Sequence, residues 1–225
     1  MQMLHPDSPL SVRVQAFFAM TGAIIAKSAL PSGLYVVGMS ALGSGIDISG
    51  LADEASGNLA LNVATLVAGF FLSRTMLSGS GMLAVAGGAR FGAYFGLSIL
   101  SGLGIILGFV LLVLPGIFLL IRWLPAFGFL LGSEESVSRS LRLSWERTRG
   151  HFWAILVGAA LPILLLAAGG TIYFVALTSE LFSSNALFVV ANIALYTFTV
   201  VGSAYGFAIY ALLKDDAGEL SGVFV

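Results

Sequence analysis

Residues 111–153 read LLVLPGIFLLIRWLPAFGFLLGSEESVSRSLRLSWERTRGHFW, and this stretch decides the fold class. Pro115 and Gly116 separate two apolar runs, the second run contains a lone arginine, Arg122, and an arginine-rich polar segment follows it. Long apolar runs that end in basic residues are typical of helices that cross a membrane. The stretch therefore predicts an all-α integral membrane protein.

The composition of the whole chain favours the same class. Of the 225 residues, 58% are hydrophobic and 9% are charged, whereas about a quarter of the residues in a soluble domain are charged. The net charge of −1 gives no reason to expect a nucleic acid as partner. With no cysteine, and with His5 and His151 far apart, the sequence predicts no metal, no cofactor and no catalytic constellation. We therefore expect a protein that is not an enzyme.

The hydropathy pattern predicts one membrane domain over residues 1–225, a six-helix bundle. The first helix is expected to begin along the membrane surface, with Lys27 snorkelling and Pro31 bending the span. Pro162 interrupts the fifth span. The N-terminal apolar region is too long for a cleaved signal, so we expect it to be retained. The predicted spans are residues 18–42, 58–77, 91–114, 117–131, 152–178 and 186–213.

The role of Pro115-Gly116 decides the topology. Residues 117–131 extend roughly 22 Å as a helix, which is short of a hydrocarbon core near 30 Å. These residues either return across the membrane from a hairpin tip at Pro115-Gly116 or form a re-entrant half-helix. The hairpin places eight basic residues on one side: Arg13, Arg74, Arg90, Arg139, Arg142, Arg147, Arg149 and Lys214. The other side then carries Asp47, Asp53, Glu54 and Glu180. This is the positive-inside pattern, with both termini cytoplasmic, and it favours the hairpin.

Glycines recur at a spacing of four in the third span and again in the sixth. Such ribbons let a neighbouring helix backbone approach closely. Packing within the bundle is favoured over a homodimer face, although both remain open. The glycines are Gly88, Gly92, Gly96, Gly104 and Gly108, then Gly202 and Gly206.

Arg122 is the most prominent candidate for ligand binding. In the six-span arrangement no carboxylate lies inside a span to pair with it, and an unpaired guanidinium is costly in lipid. Arg122 must reach headgroups, water, backbone carbonyls or an anionic ligand. It either recognises a phosphate or lipid headgroup, which suits the guanidinium fork, or snorkels outward beside an interfacial Trp123.

Residues 133–150 predict an amphipathic helix on the cytoplasmic face, between spans four and five. Ser133 is a candidate cap. An apolar stripe of Val137, Leu141 and Trp145 lies beside basic residues that suit anionic headgroups. The same helix could instead serve as a topology signal that packs under the bundle. The basic residues are Arg139, Arg142, Arg147 and Arg149.

Three motifs within residues 102–157 carry a family resemblance. They are Leu-Pro-Gly-Ile at 114–117 with Arg122 after it, Ser-Arg-Ser-Leu at 138–141, and Ser-Trp-Glu-Arg-Thr-Arg-Gly-His-Phe-Trp at 144–153. The chain resembles the membrane domain fused to some bacterial glycerophosphodiester phosphodiesterases and related stand-alone inner-membrane proteins of unassigned function. The resemblance implies a six-helix inner-membrane bundle. It transfers no catalytic residue, because the phosphodiesterase chemistry belongs to a separate soluble domain. Ser138 stands where the family usually has alanine.

These observations lead to one leading function and one alternative. We expect a bacterial inner-membrane protein that binds or positions anionic glycerophospholipid, or scaffolds a protein partner, through Arg122 and the helix carrying Arg139 to Arg149. The alternative is a carrier or permease for a small amphiphile, with a path near Pro115 and Pro162.

Overall fold

The structure is a computed structural model, and it describes residues 6–84, 90–178 and 185–214. These residues form helices, with a short 3-10 turn at Leu51–Asp53 and no strand among them. The prediction of an all-α chain is confirmed. The helices are α1 Leu10–Lys27, α2 Ala29–Ile48, α3 Ala55–Gly79, α4 Phe91–Leu111, α5 Val113–Trp123, α6 Ala126–Gly132, α7 Val137–Arg147, α8 Phe152–Gly158, α9 Ala160–Thr178 and α10 Asn185–Leu213.

Among the described residues, seven helical stretches are long and apolar enough to cross a membrane. Many large apolar side chains on them face outward, including Val110 at 76% and Leu114 at 77% exposure. A surface this apolar suits lipid tails. The chain is thus a membrane protein with several apolar helices. The stretches are Leu10–Lys27, Ala29–Ile48, Ala55–Gly79, Phe91–Leu111, Leu114–Gly132, Ala160–Thr178 and Asn185–Leu213.

The first predicted span, residues 18–42, is divided between α1 and α2. The Ser28 N–H donates to the Ile24 carbonyl at 3.1 Å, and the Ser28 carbonyl accepts from the Ser32 N–H at 2.9 Å. Helical hydrogen bonds therefore continue through the break, and the chain bends without reversing. Helix α2 carries the span on to Ile48, six residues beyond the predicted end.

Helix α1 is inclined to the rest of the bundle. Phe17 of α1 packs edge-on against Tyr205 of α10, and Tyr35 of α2 packs edge-on against Tyr196. Phe17 and Tyr35 are about 27 Å apart along α1 and α2, whereas their partners Tyr205 and Tyr196 are only about 13.5 Å apart along α10. Helix α1 is therefore not in line with α2. Helix α2 packs along α10, from the Tyr35–Tyr196 contact to the hydrogen bond between Asp47 and Asn192.

Three of the predicted hinges lie one turn after the actual break in the helix. A proline has no N–H to donate to the carbonyl four residues earlier, and its ring clashes with that carbonyl. The helix therefore breaks upstream of the proline, which then occupies the first turn of the next helix. Ser28 precedes Pro31, Leu112 precedes Pro115 and Ala159 precedes Pro162 in this way.

Helices α4 and α5 form a tight hairpin whose tip is Leu112 and not Pro115-Gly116 as predicted. Leu112 is extended, with φ −164° and ψ 146°. A Cβ added to Gly108 of α4 would lie 2.9 Å from the Cα of Gly116 in α5, so glycine on both arms allows the close approach. The glycine of the predicted turn instead serves the packing of the two arms.

Helix α10 forms the centre of the bundle and packs against α1, α2, α6 and α9. Its residues 204–211 are all buried. The fourth predicted span, residues 117–131, is bent at Leu124 and Pro125, where α5 ends and α6 begins. Tyr210 of α10 lies against two glycines of α6: an added Cβ would overlap its ring at Gly128 and would lie 2.5 Å from its hydroxyl at Gly132.

Candidate functional site

The basic residues of the chain gather at one end of the bundle, which we call the basic end. Arg90 connects the start of α4 to the end of the α4–α6 segment: its guanidinium donates to the carbonyls of Leu130 at 2.7 Å and Glu135 at 2.6 Å. Because Arg90 and Glu135 are adjacent, the segment leaves this end and returns to it. This geometry is the one expected of the hairpin, and a half-helix that ended on the opposite side would not produce it.

The N-terminal helix reaches the basic end at both of its termini. Arg13 Nη1 donates to the Gly150 carbonyl at 2.7 Å. At the other terminus, the Lys27 carbonyl oxygen would lie 3.2 Å from a Cβ added to Gly79, at the end of α3. Lys214 lies 5.4 Å from the ring centroid of Tyr210. Both ends of α1 and the end of α10 are therefore beside the segment 133–150 or the adjacent end of α3.

Helix α7 carries three arginines at this end, Arg139, Arg142 and Arg147, and it is shorter than the predicted 133–150 helix. Glu134 has a positive φ of 54°, which interrupts the helix after Ser133. The cap is therefore Ser136, whose hydroxyl accepts from the Arg139 N–H at 3.4 Å. Ser133 instead lies 2.9 Å from the Tyr210 hydroxyl. The prediction of Ser133 as the cap is therefore wrong by one turn.

One face of α7 is buried and the opposite face presents arginines. Ser140, Leu141 and Ser144 are buried. The side chains of Arg139 and Arg142 are 57% and 72% exposed and form ion pairs one turn away, with Glu135 at 3.2 Å and Glu146 at 2.9 Å. The hydrogen bond from Arg142 lowers the pKa of the Glu146 carboxyl. Such exposed pairs are weak and can exchange for other anions. Arg149 is also exposed, in the turn after α7.

Arg122 points at the C-terminal turn of α7. Its Nη1 donates to the Trp145 carbonyl at 3.3 Å and lies 3.2 Å from the Thr148 hydroxyl oxygen. The guanidinium carbon is 5.0 Å from the Phe118 ring centroid and 5.4 Å from that of Trp145, within cation–π range. The Ser144 hydroxyl donates back to the Arg122 carbonyl at 2.6 Å. A backbone carbonyl is thus one of the expected partners of this arginine, and the Thr148 hydroxyl and two aromatic rings are added to it.

The three tryptophans occupy different environments. Trp123 does not stand outward beside a snorkelling arginine: its ring covers Gly104, where an added Cβ would lie 2.5 Å away. Trp145 packs edge-on against Phe118, with ring centroids 5.3 Å apart, and the Arg122 guanidinium lies near both rings. Trp153 is 68% exposed. Trp123 and Trp145 thus build the site, and Trp153 faces the surroundings.

The predicted glycine ribbon divides into packed and open positions. Gly104 lies under Trp123, Gly108 lies against Gly116, and Gly206 lies against the Leu124 carbonyl, 2.6 Å from an added Cβ. These three serve contacts within the bundle. A Cβ at Gly92 would meet nothing within 4 Å, one at Gly96 would touch Val137 at 3.7 Å, and one at Gly202 would touch Phe198 at 3.7 Å. Gly88 lies outside the described residues.

A polar cluster at the opposite end was missed by the sequence reasoning. Asp47, in the last turn of α2, accepts hydrogen bonds from the Tyr173 hydroxyl and the Asn192 amide, both at 2.8 Å. A Cβ on Gly43 would lie 2.6 Å from the Asn192 side-chain oxygen, so glycine is needed there. Ile46 and Ile48 flank Asp47, and this apolar pattern could have indicated that the helix continues through the glycines and serines. The cluster joins α2, α9 and α10.

A cavity of about 310 Å³ lies between the α4–α5 hairpin and helices α9 and α10. Its lining is mostly apolar. Cavities of this size are large enough to hold ligands. No pattern in the sequence marks it, because its walls come from six separate helices, α3, α4, α5, α6, α9 and α10. Its walls include Ser101, Trp123, Pro162, Ile163, Leu166, Gly202 and Ser203.

The described residues contain no group of three or more His, Cys, Asp or Glu that could hold a metal ion. Among protein-family profiles, curated proteins and solved structures, none matches this chain. The resemblance to the membrane domain of glycerophosphodiester phosphodiesterases therefore rests on the motifs at 114–153 alone.

Proposed function

We propose that this chain is a non-enzymatic, multi-pass protein of a bacterial inner membrane that binds anionic glycerophospholipid at its basic end. The observation that carries the proposal is the gathering of basic residues at that end, where Arg13, Arg90 and Arg122 hold the chain together and α7 presents Arg139 and Arg142. By the positive-inside rule, such an end faces the cytoplasm. Anionic headgroups of the inner leaflet attract basic residues held near the membrane surface.

The proposed topology has six crossings, with both termini cytoplasmic. The seven apolar stretches reduce to six because α1 is inclined and both of its ends lie near the basic end, so α1 rests at the inner surface and α2 makes the first crossing. Lys27 then lies at the surface and needs no burial in the hydrocarbon core. The other crossings are α3, α4, α5 with α6, α8 with α9, and α10.

Helix α7 is the proposed headgroup-binding element, and it lies along the inner surface. Its exposed Arg139 and Arg142, together with Arg149, bind the phosphates. The buried residues Ser140, Leu141 and Ser144 hold the helix against the bundle. Arg122 is a positioning residue in this account, because its guanidinium is engaged by the C-terminal turn of α7. The planar guanidinium groups of these exposed side chains can each bind two phosphate oxygens.

Replacing Arg139, Arg142 and Arg149 together by glutamine is expected to reduce the preference for phosphatidylglycerol over phosphatidylcholine by about tenfold, because three charges near the headgroups are lost. The measurement is native mass spectrometry of the protein in mild detergent with an equal mixture of the two lipids. The quantity compared is the ratio of the two lipids that remain bound.

The matched control replaces the same three residues by lysine, which keeps the charge and loses the planar fork. We expect this variant to retain most of the preference for phosphatidylglycerol. A small part should be lost, because an ammonium group cannot bind two phosphate oxygens in the geometry of a guanidinium. An unchanged lipid ratio in the glutamine variant would contradict the proposal. A partner protein that co-purifies with the parent and is lost from both variants would instead favour the scaffold role.

A carrier or permease for a small amphiphile is the second candidate, and the cavity beside α9 is the observation that favours it. Pro162 lines this cavity, as the expected path near Pro162 requires. Pro115 lies in the first turn of α5 and is not part of the lining. Uptake of a labelled amphiphile into vesicles containing the protein, above that of empty vesicles, would support transport.

A further inference from the structure

We propose that the cavity between the α4–α5 hairpin and helices α9 and α10 holds one acyl chain of a glycerophospholipid, which enters sideways from the bilayer. The inference deepens the proposed function and rests on its ligand class. It names the part of the lipid that the protein recognises inside the membrane, whereas the arginines address the headgroup.

The mouth of the cavity opens on the surface that faces lipid. Ile163 and Leu166 of α9 line the cavity and are also 42% and 43% exposed on the outer face of the bundle. Helix α9 packs on α8 and α10, whereas α4 packs on α3, α5, α6 and α7. The two sets of helices diverge, and the gap between them is bounded by apolar side chains. The molecules that surround such a gap in a membrane are lipids.

The walls suit hydrocarbon better than a polar solute. The Ser101 hydroxyl donates to the Leu97 carbonyl at 2.6 Å, and the Thr199 hydroxyl donates to the Leu195 carbonyl at 3.1 Å. Hydroxyls bonded to their own helix offer few hydrogen bonds to an occupant. A polar molecule in the cavity would lose its bonds to water without replacing them. An acyl chain has none to lose.

The position of the cavity connects it to the basic end. Two lining residues are close to basic ones: Ser73 precedes Arg74, and Tyr94 is one turn after Arg90. An acyl chain lying in the cavity therefore leaves its headgroup close to Arg74 and Arg90, and Arg90 in turn donates to the Glu135 carbonyl just before α7. The two sites together fit one amphiphile with an anionic end.

Trp123 lines the cavity and provides the probe. In a variant with Trp145→Phe and Trp153→Phe, Trp123 is the remaining tryptophan. We expect phosphatidylglycerol with a brominated acyl chain, titrated into the protein in mild detergent, to quench Trp123 fluorescence in a saturable way. Adding Gly202→Leu should weaken the apparent affinity by at least about fivefold, because the new side chain projects into the cavity.

Gly202→Leu has a matched control in Gly170→Leu. A Cβ at Gly202 would meet only Phe198, at 3.7 Å, and a Cβ at Gly170 would meet nothing within 4 Å, so neither substitution clashes at Cβ. Gly170 faces outward on α9, so Gly170→Leu should leave the quenching curve unchanged. Ser203→Leu, on the neighbouring lining residue, is a second variant should the first fail to fold. Quenching that does not saturate, or that is equal in Gly202→Leu and Gly170→Leu, would overturn the proposal.

The same titration separates this inference from the proposed function. Suppose that the arginine-to-glutamine variant loses its headgroup preference, while its Trp123 quenching still saturates and is still weakened by Gly202→Leu. Both the headgroup role of the arginines and the acyl-chain site would then stand. Quenching that depends on Gly202 but is equal for phosphatidylglycerol and phosphatidylcholine would keep the acyl-chain site and contradict the headgroup role. Quenching by a brominated fatty acid and not by either phospholipid would overturn the acyl-chain site as stated.

Discussion

Replacing Gly206 by valine is expected to lower the melting temperature of the purified protein by roughly 5–10 °C. A Cβ at this position would lie 2.6 Å from the Leu124 carbonyl oxygen, a backbone atom that no side-chain rotation can move away. Helix α10 and the bend before α6 must separate, and overpacking of this kind costs about 2–3 kcal/mol. Thermal unfolding in mild detergent, followed by near-ultraviolet circular dichroism, measures the shift.

Gly170→Val is the matched control for this prediction. Gly170 is exposed on α9 and has open space around it. The same change there should alter stability by no more than about 0.5 kcal/mol. Equal melting temperatures for the two variants would show that the contact between α10 and Leu124 is not as tight as the structure has it.

Replacing Arg122 by methionine is expected to destabilise the protein by about 2–3 kcal/mol and to loosen α7. Methionine keeps an unbranched, apolar stem but loses the hydrogen bonds to the Trp145 carbonyl and the Thr148 hydroxyl, and both cation–π contacts. Faster hydrogen exchange over residues 137–148, together with a lower melting temperature, is the expected result. Arg122→Lys should show most of the same loss, because ammonium does not stack on the rings as guanidinium does.

Arg142→Met provides the comparison within α7. Its ion pair with Glu146 is exposed to water, so its removal should leave the melting temperature unchanged. If Arg122→Met matched Arg142→Met in both stability and exchange, Arg122 would not position α7. Phosphatidylglycerol binding that stays unchanged in Arg122→Ala would show that headgroup binding does not depend on the contact between Arg122 and α7.

The fold class could be predicted from sequence because composition decides it. A chain with 9% charged residues cannot cover itself with a water-compatible surface, and apolar runs in lipid must be helical. Helix ends were harder to predict. The prolines at 31, 115 and 162 mark a break in the sequence, but the clash they cause lies with the preceding turn, so each break falls three residues earlier.

The candidate site was only half predictable. The sequence shows that Arg122 lacks a nearby carboxylate, but its partners lie 23 and 26 residues further on and depend on how α7 docks. Asp47 appeared to be a loop residue among glycines and serines, yet its hydrogen-bond donors come from residues 126 and 145 positions away. The cavity arises from the divergence of α4 and α9, which no local pattern encodes.

The orientation of the basic end can be measured with cysteines, because the chain has none of its own. Ser138 of α7 and Ser56 at the start of α3 are both exposed and lie at opposite ends of the bundle. With a membrane-impermeant maleimide added to spheroplasts, we predict that Ser56→Cys is labelled and that Ser138→Cys is labelled only after permeabilisation. Labelling of Ser138→Cys on intact spheroplasts would place the arginines outside the cell and contradict the proposed topology and, with it, the role of α7.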